Sequence, residues 1–278
     1  MTARRAVLIL GLTTLVGAVL TGGSRAQEPR SPGLYNTAKQ KLLDGKPVVG
    51  GTIYTSDPNI YCAMAGAGFD FLWIEMQHSP LTYSEVAKMI RACPEAPAIP
   101  FIRVPDATEG DIQKAADIGA LGIIVPMVST VKKAEAAVRY AKYPPDGQRS
   151  QGGGQYRVLY EGDYRRTANE NILVVVMIEN LEGVEVVDQI AAVPGVVAVF
   201  AASGDLGSFS GWARDDPRYE AMIDKVKTAT LAAGKTLGGP FSWHDREGFR
   251  LFQASSDAGL IRSGARVLLE TMKGEYEY

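Results

Sequence analysis

Thiol and imidazole groups are scarce in this chain: two cysteines, Cys62 and Cys93, and two histidines, His78 and His244, are all that its 278 residues contain. This excludes a disulfide scaffold and a four-cysteine zinc site, and it leaves at most one bridge. Each cysteine falls in a predicted helix, in separate apolar patterns, so two buried thiols are expected rather than a disulfide. An excess of either charge is also absent. Lys and Arg total 29 against 31 Asp and Glu, a net charge of -2, which removes the basic surface that a nucleic-acid binder needs. With 46% hydrophobic and 22% charged residues, the composition is not that of a disordered chain, and a small-molecule partner is expected. No Gly-rich dinucleotide fingerprint follows the first strand-like run, where Gly50-Gly51 stands alone, and no P-loop ending or internal repeat occurs.

The N-terminus reads as an export signal. Arg4 and Arg5 precede an apolar run over residues 6–20, followed by small and polar residues up to Ala26. Residues 1–26 are therefore expected to be a cleaved signal peptide, and the region loosely resembles a twin-arginine signal. A periplasmic or secreted protein follows, with an N-terminal membrane anchor as the alternative. Residues 27–35 form a Pro/Gly/Ser-rich linker, and residues 36–278 are expected to be one domain.

From there, short β-type runs alternate with helical patterns. Strands are predicted over residues 48–54, 71–75, 98–103, 122–127, 173–179, 196–201, 236–239 and 259–262, and helices over 82–92, 109–118, 130–141, 181–192, 218–233 and 245–255. This many β/α units predict a (β/α)8 TIM barrel, with a doubly wound sheet as the alternative. A final helix over 261–272 reads equally as core-facing or as a segment exchanged between subunits. The Gly-rich stretch 143–171, which carries Arg149 and Arg157, reads equally as a lid or binding loop and as a surface turn.

Barrel chemistry collects where strands end. FLWIEMQH brings Glu75 and His78 to one such end, AIPFIRVP brings Arg103, LVVVMIEN brings Glu179, and VVAVFAASGDLG brings Asp205. Glu75 reads evenly as functional or as an ordinary strand-end charge, and His244 as a structural helix-start residue. The six apolar residues before Glu179 pose a problem, because a carboxylate buried there without a partner is costly. A divalent cation shared by Glu179 and Asp205 resolves it. All-oxygen ligation suits Mg2+ or Mn2+ better than zinc, and Arg103 adds positive charge for an anionic substrate.

The segments GFDFLWIEMQHSP, FIRVP, AADIGALGIIVPMV, YPPDGQRSQGGG, VVVMIEN and VFAASGDLG, in this order, resemble the metal-dependent (class II) aldolases of the 4-hydroxy-2-oxoheptanedioate and 2-keto-3-deoxy-sugar-acid aldolase family, related to the citrate lyase β subunit. The resemblance spans roughly residue 33 to the C-terminus. It implies a phosphoenolpyruvate/pyruvate-domain-like (β/α)8 barrel that makes or breaks a C-C bond beside a 2-oxo acid, with an aldehyde as second substrate. It also implies Glu179 and Asp205 as metal ligands, Arg103 as the group holding the oxo-acid oxygens, and His78 with its partner Asp117 as the proton-transfer pair. Gly204 and Asp205 would meet the substrate carboxylate, and the protein would be a homo-oligomer, a hexamer being one form.

Four positions depart from the family pattern. Glu75-Met76-Gln77-His78 replaces Asp-x-Glu-His, Met177 stands where glutamine is common, Ser203-Gly204 replaces Pro-Ala, and Arg149-Ser150 replaces Arg-Gly. The departures keep other outcomes open: citryl-thioester cleavage, hydrolysis or decarboxylation by the same enolate chemistry, or an exported oxo-acid-binding protein without catalysis.

Overall fold

The computed structural model describes residues 33–160 and 162–271; the predicted signal peptide lies outside them. Eight parallel strands close a barrel in sequence order. They are β1 (Val48–Ile53), β2 (Phe71–Glu75), β3 (Ile99–Arg103), β4 (Gly122–Val125), β5 (Leu173–Ile178), β6 (Val196–Ala201), β7 (Thr236–Pro240) and β8 (Phe249–Ser256). Helix α1 (Thr37–Leu43) precedes the barrel, and α2 (Pro58–Ala65), α3 (Tyr83–Ala92), α4 (Glu109–Asp117) and α5 (Val131–Ala141) link β1 to β5. Short α6 (Tyr156–Leu159) and α7 (Tyr164–Asn171) complete the long connection into β5. Beyond it lie α8 (Leu181–Glu185), α9 (Val187–Ala192), α10 (Ser203–Ser210), α11 (Pro217–Ala232) and α12 (Asp257–Glu270). No helix among the described residues is long and apolar enough to cross a membrane.

The strands read as continuous apolar runs because both faces are buried. Side chains alternate, so Phe71, Trp73, Phe101, Leu173, Val175, Met177 and Phe200 fill the barrel interior. Leu72, Ile74, Ile102, Val174, Val176 and Ile178 pack outward with Val86, Met89 and Ile112 of the helices. Interior rings need room beside them: a Cβ on Gly50 would stand 2.1 Å from the Phe71 ring, and one on Gly122 would stand 2.0 Å from Phe101. At the N-terminal end of the strands, Ala38 and Leu42 of α1 join the interior cluster and close the barrel. The buried Asn36 caps α1 and donates from Nδ2 to the carbonyls of Leu121 and Asn171, at 3.2 and 2.8 Å.

Four expectations need correction. Residues 245–255 are not a helix, and 259–262 are not the eighth strand: β8 runs through Phe249–Ser256, pairing Leu251 with Val48 of β1 and Phe249 with Leu237 of β7, while 259–262 belong to α12. Phe249 and Phe252, three apart, imitate a helical stripe, but Gly248 at φ 90 interrupts any helix there, and β7 needs a strand between itself and β1. Residues 181–192 break at Val186 into two short helices. Finally, Cys62 and Cys93 are bridged, with their Cα atoms 5.8 Å apart, and are not free thiols. Adjacent parallel strands β1 and β2 set α2 and α3 side by side, a proximity that separate helical patterns do not reveal.

The bridge closes a segment of 31 residues. Restricting a loop of that length in the unfolded chain is worth roughly 3–4 kcal/mol. Reduction is therefore expected to lower the urea midpoint by that equivalent, followed by unfolding with and without reductant while thiols are counted. An unchanged midpoint with both thiols free would refute the contribution.

Candidate functional site

Alternation in β5 answers why an apolar run ends on a carboxylate. Leu173, Val175 and Met177 face the interior, so the next residue in that phase, Glu179, enters the barrel mouth. It is 2% exposed. One of its oxygens accepts a hydrogen bond from the Met127 N-H. Met127 follows β4 with φ 51, a left-handed conformation uncommon for a residue with a side chain, and that strained turn aims its N-H at the carboxylate. Asp205, in the first turn of α10, comes within hydrogen-bonding reach of Glu179. Burial pushes the Glu179 carboxyl up to about 7, opposed by the Met127 N-H, raised further by the negative Asp205 and lowered by Arg103.

In-register pairing sets Glu75 of β2 beside Arg103 of β3. Glu75 is fully buried and Arg103 nearly so, at 0% and 6% exposure. Arg103 Nε donates to Glu75 Oε2 at 2.5 Å, and Nη1 lies 3.9 Å from the Met177 sulfur. The guanidinium also sits 5.7 Å from the centre of the Trp73 ring. Glu75 does more than pair: its Oε1 accepts the N-H groups of Gln77 and His78 at 2.8 and 2.9 Å, and Trp73 Nε1 donates to Oε2 at 3.2 Å. One carboxylate thus holds the arginine and shapes the turn carrying His78. Glu75 is not a surface charge. The interior phase Phe71–Trp73–Glu75 was the signal that would have found it.

His78 itself is exposed at the rim, and its imidazole makes no hydrogen bond among the described residues. Gly204 opens on free space: a Cβ there would meet nothing within 4 Å. Asp257, at the start of α12, accepts the N-H groups of Tyr54 and Thr55 at 2.9 and 2.8 Å and ties the loop after β1 to the last helix. Reading 259–262 as a strand hid this residue.

Asp117 is placed elsewhere. It ends α4 shortly before β4 begins, at the N-terminal end of the strands, whereas His78 follows the C-terminal end of β2. Within one chain the expected Asp117–His78 pair does not form; Asp117 accepts from Arg149 Nη2 at 2.6 Å. The stretch 143–171 lies at that same end, between α5 and β5, so it does not lie over the site of its own chain. Arg149 is buried there, donating to the Tyr164 hydroxyl at 3.0 Å and lying 4.7 Å from the Tyr143 ring centre. His244 is exposed, its ring stacked on Phe241, and takes no part in the site.

Glu179 and Asp205 present hard carboxylate oxygens at close range, with one carboxylate so buried that it retains its charge only at a cost. A divalent cation fits this pair. No group of three or more His, Cys, Asp or Glu that could hold a metal ion gathers among the described residues.

The family model for HpcH/HpaI aldolase/citrate lyase matches residues 53–244. A hydroxypyruvate/pyruvate aldolase of Chromohalobacter salexigens is 33% identical over 222 residues, covering 76% of this chain and 87% of that protein. One from Paraburkholderia phytofirmans is 29% identical over 254 residues, covering 86% and 98%. Among solved structures, a HpcH/HpaI aldolase/citrate lyase family protein from Burkholderia cenocepacia superposes with a TM-score of 0.78 at 31% identity, covering 86% of this chain and 100% of that one. Citrate synthase SbnG superposes at 0.74 and 30% identity, covering 85% and 97%. The eight-stranded barrel and these matches together establish that the chain belongs to the HpcH/HpaI aldolase/citrate lyase family.

Proposed function

We propose that this aldolase-type lyase makes or breaks the C-C bond beside a 2-oxo acid by way of its enolate, with Mg2+ or Mn2+ held by Glu179 and Asp205. The observation that carries the reading is the close carboxylate pair, one member buried, beside a buried arginine. When bound, a divalent cation held by Glu179 and Asp205 would supply positive charge that offsets the charge developing on the oxo acid. Arg103, fixed by Glu75, offers a guanidinium whose Nη2 makes no hydrogen bond among the described residues; it orients the carboxylate and carbonyl oxygens of the oxo acid and offsets charge that develops on them. Backbone N-H groups of Gly204 and Asp205 at the start of α10 receive the substrate carboxylate. His78, at the open rim, moves the proton between the methyl carbon and water. Relatives bearing the name hydroxypyruvate/pyruvate aldolase support an oxo acid of that size.

A second reading keeps the enolate but changes its partner. Met177, where glutamine is common, puts sulfur rather than an amide against Arg103, and a structure at 30% identity is a citrate synthase. Condensation with another oxo acid, or thioester chemistry, is the outcome this favours.

We further propose a homo-oligomer and an exported location. Ile261, Val267, Leu268 and Leu269 of α12 are 59, 66, 68 and 40% exposed, an apolar load that a neighbouring copy would cover. Asp117 can meet His78 only if a second copy supplies it. The Cys62–Cys93 bridge suits an oxidising compartment, in keeping with the export-type N-terminus.

The test is proton exchange at the pyruvate methyl group in deuterium oxide, followed by NMR. Exchange is expected with Mg2+ or Mn2+, lost with chelator, and reduced by roughly 10²-fold or more in His78→Ala. Exchange that persists in chelator would overturn the metal reading.

A further inference from the structure

At the opposite end of the barrel from this site, a cleft of about 520 Å3 opens between α1, the segment ahead of β7, and β8. Its walls are apolar at Leu42, Val197 and Leu237, and its rim carries Leu43 and Leu231, 65 and 43% exposed. The charges that line it are all positive: Lys39 of α1, Lys235 ahead of β7, and Arg250 of β8. Arg250 Nη1 reaches within 3.5 Å of where a Cβ on Gly45 would stand, which brings it alongside the end of α1. In a chain with a net charge of -2, a concave surface bearing only cations departs from the average.

Lys39 donates from Nζ to the Glu170 carbonyl, and its ammonium is partly withdrawn from water. Lys39 is pushed down to about 8 by burial and then by the neighbouring Lys142, with Glu170 acting in the other direction. Lys142, itself buried, is lowered by burial and by Lys235, and raised by Asp146. Neither Glu170 nor Asp146 lines the cleft, and Lys235 and Arg250 have no carboxylate within salt-bridge distance among the described residues. An ordinary solvated face spreads its cations on convex surface and interleaves acids. Here they ring an apolar hollow whose volume falls in the range of small-molecule sites, roughly 300–1,000 Å3.

We propose that this cleft binds a small organic anion with an apolar body, a medium-chain carboxylate being the simplest case. The head group would pair with Lys235 and Arg250, while the hydrocarbon would cover Leu42, Leu43 and Leu231. Both parts are required. A short anion leaves the leucines wet, and an uncharged chain leaves the cations unneutralised.

Calorimetric titration of the purified protein with octanoate, acetate and octanol tests this. Octanoate is expected to bind at least about tenfold more tightly than either of the others, a difference of about 1.4 kcal/mol. The Lys235→Glu/Arg250→Glu double variant is expected to lose about tenfold or more, and Leu231→Asp, at an exposed position, to weaken binding independently. Saturating pyruvate with Mg2+ is expected to leave octanoate binding unchanged, since the two sites lie at opposite barrel ends. Octanoate binding no tighter than acetate or octanol, wild-type affinity in the folded double variant, or displacement by pyruvate would each overturn the proposal.

Discussion

Glu179→Gln is expected to abolish metal-dependent exchange, by roughly 10³-fold, and at the same time to stabilise the metal-free protein. The second effect follows from the raised carboxyl. Burial holds the Glu179 carboxyl up at about 7 in the folded chain, against the ordinary 4.5. Between those two values the folded state holds more proton than the unfolded state, so the stability of wild-type protein without metal falls as pH rises through that window. Above pH 7 the full penalty applies, on the order of 3 kcal/mol. Glutamine carries no charge to bury, and its carbonyl still accepts the Met127 N-H. The variant should therefore exceed wild type at pH 8 in chelator, match it below pH 4.5, and gain nothing from added Mg2+. Urea unfolding at the two pH values, with and without metal, reads all three. A metal ligand predicts this crossing of activity and stability. A merely structural carboxylate predicts loss of both, and that result would remove Glu179 from the metal site.

Glu75→Ala is expected to cost about 3–5 kcal/mol, because it strands Arg103 as a buried charge without its partner. It also leaves the Trp73 indole N-H and the N-H groups of Gln77 and His78 without their shared acceptor. Exchange activity should fall as well, since the same carboxylate fixes both Arg103 and the His78 turn. Glu75→Asp keeps the charge one methylene shorter, in the form the family pattern commonly has, and is expected to recover most of both losses. Denaturant midpoints and exchange rates of the two variants provide the comparison. An alanine variant within 1 kcal/mol of wild type would show that Arg103 does not depend on Glu75.

The two variants show why part of the site was legible in sequence. Glu179 stood out because six apolar residues precede it and only strand alternation sends such a residue inward. Glu75 ends a strand with the same phase, but a single glutamate after FLWI also fits a solvent-facing strand end. Its meaning depends on Arg103, 28 residues later, standing in register beside it. The N-H of Met127 that meets Glu179 left no mark in side-chain chemistry at all.

By itself, the sequence determined the β/α alternation, and with it the barrel, the strand-end residues Glu179, Arg103 and His78, and the nearby Asp205. These are local properties, since period-two burial and turn chemistry act over a few residues. Only the tertiary structure decided that Cys62 meets Cys93, that residues 249–256 close the barrel as a strand, and that Asp117 and the Gly-rich stretch lie at the far end with Arg149. Each of those depends on which elements become neighbours when the sheet closes, and closure brings together residues whose local patterns contain no reference to one another.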